Sequence, residues 1–134
     1  MSHPLMFDDD DPYLVRLRSV VAAFPGCFEK IAHGRPTFRA GEKGKVFAYY
    51  GGSVKGTGKH ERHDAGLLIK PDPAEAVALR DDPRFWTPAY LGPAGWLGID
   101  LDAGGLDWDE ITELIDASYR QVASRSLLAE LDGP

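Results

Sequence analysis

The sequence predicts an α+β domain in which helices pack on an antiparallel sheet. Three observations predict it: an amphipathic helical stretch at each end, consecutive strand-like runs through the first half, and the absence of an alternating β-α series. At 134 residues the chain has the usual length of one domain, and its 43% hydrophobic and 27% charged content suits a folded core. An acidic tail is expected over residues 1–11, one domain over 12–128 and a short tail over 129–134.

Asp11-Pro12 reads as a helix start, because aspartate caps free backbone N–H groups and proline is preset for the first helical position. Leu14, Leu17, Val21 and Phe24 then share one face, and Pro25-Gly26 ends the helix. Residues 28–33 form a first strand, broken at Gly34-Arg35-Pro36 before a short extended piece over 37–39. Residues 40–44 form a tight turn. Residues 45–50 then read as a strand with Val46, Ala48 and Tyr50 facing one way and Phe47 and Tyr49 the other.

Residues 51–64 combine glycines, basic residues and two histidines without apolar periodicity, which predicts a long hairpin loop. Leu67, Leu68 and Ile69 supply the returning strand. Asp72-Pro73 repeats the cap-plus-proline signal, with Ala74, Val77 and Ala78 as the apolar positions of a short helix ending at Asp81-Asp82-Pro83. A connection over 84–93 leads to a strand over 95–101. Asp107, with Glu110 three residues on, resembles a capping box, and Ile111, Leu114, Ile115, Ser118 and Val122 trace the buried stripe of a long last helix.

Composition narrows the function classes. The apolar run Val20–Phe24 is far short of the roughly 20 residues of a membrane span, and the four aspartates 8–11 stand where a signal peptide needs basic and apolar residues. The expectation is a cytoplasmic protein with no membrane partner. One cysteine, Cys27, makes neither an intramolecular disulfide nor a cysteine-based zinc site, and reads as buried and inert. The net charge of −6 disfavours a polyanion overall, yet residues 28–70 carry nine Lys and Arg against four acids, a local balance of +5.

The motifs that suggest chemistry fail on spacing. His60 and His63 lie three apart in a glycine-rich stretch without a third ligand, so no metal is expected. GGSVKGTGK over 51–59 misses the phosphate-loop pattern: Ser53 stands where its first glycine belongs, and His60 follows Lys59 in place of Ser or Thr. Ser53 and Ser118 sit in no nucleophile elbow. No catalytic constellation and no cofactor are expected. Phe85, Trp86, Tyr90 and Trp96 concentrate aromatic surface that could stack on bases or line a pocket, with core packing the simpler reading.

Several short segments, taken together, resemble the MmcQ/YjbR family. They are His33-Gly34-Arg35-Pro36-Thr37-Phe38-Arg39, Lys45-Val46-Phe47-Ala48, Leu67-Leu68-Ile69-Lys70, Arg84-Phe85, Pro88-Ala89-Tyr90-Leu91-Gly92, Gly95-Trp96-Leu97-Gly98, Asp107-Trp108 and Ser118-Tyr119-Arg120. The resemblance implies a CyaY-like fold with helices on one face of an antiparallel sheet, and a double-wing DNA-binding role. From the residues themselves, Lys55, Lys59 and Arg62 would form one basic wing and Arg39, Lys43 and Lys45 the other, contacting the phosphates of duplex DNA without reading bases. The alternative is a cleft lined by Arg35, Tyr90, Trp96 and Tyr119, suited to a small anionic or planar ligand or to a protein partner. Either way the protein is expected to act as a monomer.

Overall fold

Each of the three predicted aspartate caps closes a helix. In the computed structural model, which describes residues 4–133, one carboxylate oxygen of Asp11, Asp72 and Asp107 accepts a backbone N–H two residues on, each at 2.9 Å. The helices are α1 (Pro12–Val21), α2 (Pro73–Asp81) and α3 (Trp108–Val122), and α4 (Arg125–Asp132) follows. Ser124 caps α4, which runs across residues assigned to both the domain and the tail. Glu110 does not close a capping box, because its carboxylate instead binds Arg84 at 2.7 and 2.9 Å.

The strands are β1 (Cys27–Ala32), β2 (Arg35–Ala40), β3 (Val46–Lys55), β4 (His60–Ile69), β5 (Phe85–Trp86) and β6 (Leu97–Asp100). They form one sheet in the order β1-β2-β3-β4-β6-β5, antiparallel throughout. All five expected strands are present. β5 was not legible, since two residues are too few to show a period.

Residues 51–64 do not form the expected loop; they are the outer halves of β3 and β4, closed by a short turn at 56–59. The ladder crosses an irregularity between Tyr50 and Gly52, with Gly51 at φ +86. Beyond that point Val54 and Glu61 through His63 are half-buried or exposed, so an apolar alternation has nothing to face. β3 differs from its predicted alternation too. Phe38 pairs with Ala48 but Arg39 with Val46, which makes Phe47 an extra, bulged residue. Phe47, Ala48 and Tyr50 therefore all join the core, while Val46 and Tyr49 are half-buried.

The core lies between the sheet and α1 and α3. Leu14, Leu17, Val21 and Phe24 bury their side chains as their spacing predicts, as do Ile111, Ile115 and Ser118; Leu114 and Val122 are half-buried. Tyr119 also enters the core, its ring 5.1 Å from both Phe24 and Phe47. Ser118 Oγ donates to the Phe47 carbonyl at 2.6 Å and accepts the Lys70 N–H at 2.9 Å, joining α3 to β3 and to the end of β4. Tyr50 donates its hydroxyl to Asp11, so the cap of α1 is also tied to β3. In α2 the expected face is wrong: Ala74, Val77 and Ala78 are exposed, and Ala76 and Leu79 turn inward. Apolar residues at five of its nine positions leave the period unable to choose a face.

On the sheet face away from this core, Trp86 lies across a floor of three glycines. A Cβ on Gly98 would stand 2.6 Å from the indole, one on Gly66 2.7 Å, and one on Gly52 3.4 Å. Close approach of the indole requires glycine at 66 and 98.

Gly98→Ala is expected to lower stability by about 1–3 kcal/mol through overpacking. Adding Trp86→Leu should recover part of that loss, as read from denaturant midpoints; additive losses would contradict the glycine floor. Cys27 yields a second expectation. Burial, helped by the Glu29 charge, pushes its thiol from 9.0 up to about 11. The folded state favours the protonated thiol, so its contribution to stability is complete below pH 9.0 and declines between 9.0 and about 11. Alkylation near pH 8 should run roughly 100-fold slower than for a free thiol, and a rate equal to that of the unfolded chain would refute this.

Candidate functional site at the outer face of the sheet

Side chains alternate along a strand, so Phe38 in the core places Thr37 and Arg39 on the opposite, outer face. Cross-strand pairing carries the pattern to β1, where Lys30 lies opposite Thr37 and Ala32 opposite Arg35. Tyr49 pairs with Leu68 and Leu68 with Gly98, which extends the outer face to β6. The 87–95 segment, which includes a short 3-10 helix at Gly92–Ala94, crosses part of it, tied to β3 by the Ala89 N–H donating to the Ser53 carbonyl at 2.7 Å.

Among the described residues, three buried side-chain donor atoms have no partner: Arg35 Nη1, Arg39 Nε and Trp86 Nε1. All three side chains belong to this face. Leaving such a donor unsatisfied costs roughly 1–3 kcal/mol unless water or a ligand meets it. The outer face is therefore where the molecule has unused hydrogen-bonding capacity.

Arg35 lies in a cleft of about 670 Å³ whose walls include Ala32, Tyr49, Leu68, Ala89, Tyr90 and Leu91. Its Nη2 binds Asp64 at 3.0 Å, and its side chain is 13% exposed. Burial alone would raise the Asp64 carboxyl, but hydrogen bonds from Arg62 and Arg35 outweigh it and hold the group below its usual range. The guanidinium also lies against Gly51, where a Cβ would collide with it. Tyr90 stands at the cleft with φ +69 and 85% exposure, its ring 5.3 Å from that of His60. A non-glycine residue with positive φ is uncommon, and an exposed aromatic gains nothing from burial to offset it.

Beside the cleft, His63 stacks on Trp86 at 4.2 Å, and its Nδ1 lies 2.8 Å from Asp100 Oδ1. His60 and His63 thus have different neighbours. Among the described residues no group of three or more His, Cys, Asp and Glu is placed to hold a metal, and no helix is long and apolar enough to cross a membrane.

The six residues of the two expected wings divide into separate groups. Lys55, Lys59 and Arg62 belong to the β3–β4 hairpin and are exposed, with Arg62 donating to Asp64 at 3.0 Å. Lys43 and Lys45 belong to the β2–β3 turn at the opposite end of β3, about 30 Å away at the usual rise per residue. Arg39 is not in a turn; it sits within β2 on the outer face. Of the cleft set, Arg35 and Tyr90 come together. Trp96 borders an adjacent groove and meets Tyr49 edge to face at 5.0 Å. Tyr119 is elsewhere: fully buried on α3, it donates its hydroxyl to the Pro25 carbonyl at 2.6 Å.

Sequence reasoning did not single out Tyr49, Leu68 or Lys70 as site residues, and nothing in their local pattern marks them. The glycine floor left no signal either, because Gly52, Gly66 and Gly98 come from three strands.

Comparison with solved structures supports the fold. A crystal structure of a protein from Pseudomonas syringae superposes with a TM-score of 0.60 at 17% identity, covering 85% of this chain and 98% of the other. The crystal structure of Deinococcus radiodurans protein DR2400, a DUF419 domain, superposes at 0.57 with 20% identity over 90% of this chain and 88% of the other. At these identities the likeness establishes the fold alone. No curated protein matches the sequence. The YjbR family model matches residues 22–121, which span β1 through most of α3, including the whole sheet and the outer-face residues described above; the chain belongs to the YjbR family.

Proposed function

We propose that this protein is a non-catalytic binding protein, and that the Arg35–Tyr90 cleft takes a small anionic ligand with a planar or apolar body. The observation that carries the reading is the Arg35 guanidinium in the cleft wall, held at Nη2 by Asp64 and buried at Nη1 against Gly51 without a partner. A guanidinium held in this way keeps its charge in one place, and an anion in the cleft would meet that charge. The cleft volume falls within the range usual for small-molecule sites, and its apolar walls with a few polar groups suit an amphipathic ligand. The strained, exposed Tyr90 supplies a ring at the mouth. The protein acts as a monomer in the cytoplasm, where a lone cysteine stays reduced.

Duplex DNA is a second reading, favoured by one observation. Lys55 and Lys59 are exposed at the end of the β3–β4 ribbon, and Lys43 and Lys45 lie about 30 Å away, close to the repeat of one DNA turn. Glu61 and Asp64 on the same ribbon oppose it.

An anionic aromatic probe, anilinonaphthalene sulfonate, should bind saturably to the native protein, and Arg35→Gln should weaken it about 10-fold. Tyr90→Gly should also weaken binding, yet leave stability unchanged or raise it by up to about 1 kcal/mol, because glycine relieves the left-handed backbone. Probe binding that survives both substitutions would overturn the cleft reading. For DNA, binding should be detectable at about 50 mM salt, and Lys55→Gln with Lys59→Gln should reduce the log-affinity against log-salt slope by roughly 2. Absence of binding under those conditions removes the DNA reading and leaves the cleft untouched.

A further inference from the structure

On the far side of Tyr49 from the cleft lies a groove of about 340 Å³ that Arg39, Lys45 and Lys70 border together. The three come from separate parts of the chain: Arg39 from β2, Lys45 from the turn entering β3, and Lys70 from the residue after β4. Lys70 is fixed there because its backbone N–H donates to Ser118 Oγ. Convergence of this kind is a property of the fold.

None of the three cations belongs to an ion pair among the described residues; the lysines share this with every other described lysine, whereas Arg39 differs from Arg18, Arg35, Arg62, Arg84 and Arg120, which are all paired. The chain carries six more acids than bases, so carboxylates are abundant. Placing three unpaired positive charges on one concavity of an acidic protein costs mutual repulsion. Arg39 adds a buried Nε without a partner. Val122 in the last turn of α3 also borders the groove, and the partial negative charge of a helix C-terminus offsets only part of three full charges.

We propose that this groove is a binding site for a phosphate group carried as a dianion. Three cations match the charge and the several acceptor oxygens of phosphate better than those of a carboxylate, with the arginine fork and two lysine point charges serving different oxygens. The Tyr49 and Trp96 rings form an adjoining apolar wall, where the organic part of a phosphomonoester would lie. The site is distinct from the Arg35–Tyr90 cleft and stands without it.

The test is an NMR titration of the ¹⁵N-labelled full chain with sodium phosphate, against sodium chloride at equal ionic strength. Saturable shifts are expected at the Tyr49 and Lys70 amides and the Trp96 indole N–H, with a dissociation constant of about 1 mM or below. Arg39→Gln and Lys70→Gln should each weaken binding about 5-fold or more, Arg39→Lys should recover part of the loss, and Arg80→Gln, exposed on α2, should change nothing. A parallel titration with adenosine 5′-monophosphate identifies the source: tighter binding than phosphate points to a phosphomonoester, equal binding to free phosphate. Shifts that fail to saturate, that chloride reproduces, or that persist in both Gln variants overturn the proposal. Tyr90→Gly should leave phosphate binding intact, so failure here and failure of the cleft reading are separable.

Discussion

The Ser118 hydroxyl is the contact on which the layout of the molecule depends. It donates to a carbonyl of β3 and accepts the N–H that follows β4, so one buried side chain sets the position of α3 on two central strands. A buried hydroxyl that finds both partners avoids the desolvation cost of an unsatisfied polar group and fixes the helix in one place. With α3 and α1 held on the inner face, neither covers the outer face. The unsatisfied donors and concavities described above all follow from that one-sided arrangement.

Charge is unevenly shared between the elements. The helices carry eight acids against five bases, while the strands carry five bases against four acids. The ion pairs of Arg84 and Arg120 bind exposed partners, and pairs of that kind contribute little to stability. Arg35 is different because its side chain is mostly buried and only partly satisfied. An acidic protein can therefore present a basic surface, since what a ligand meets is the local field and not the net charge.

The outer face also departs from regular sheet geometry where it is most specialised. A bulge at Phe47 moves that side chain into the core and leaves Tyr49 outward, between the cleft and the groove. The irregularity beside Gly51 brings Arg35 against the β3 backbone. Three glycines give up side-chain packing so that Trp86 can lie flat beside His63. Such features weaken a sheet unless surrounding packing holds them, and they concentrate where a strand must aim a particular side chain.

The sequence by itself determined the class, three of the four helix starts and most of the strands, but not α4. Aspartate caps act on backbone two residues away, and the periods of Leu14 to Phe24 and Ile111 to Ser118 are local, so both are written in neighbouring residues. It also grouped Arg35 and Tyr90 with Trp96 and Tyr119, of which only the first two line one cleft, and it located the basic stretch. Only the tertiary structure decided that residues 51–64 extend the ladder, that Tyr119 lies on the buried side, and that Lys43 and Lys45 stand apart from Lys55 and Lys59. It alone brought Arg39, Lys45 and Lys70 to one groove and three glycines under one indole. The physical reason is that cross-strand register and the choice of sheet face are set by a bulge and by contacts between residues distant in sequence, and a one-residue shift in register exchanges the faces.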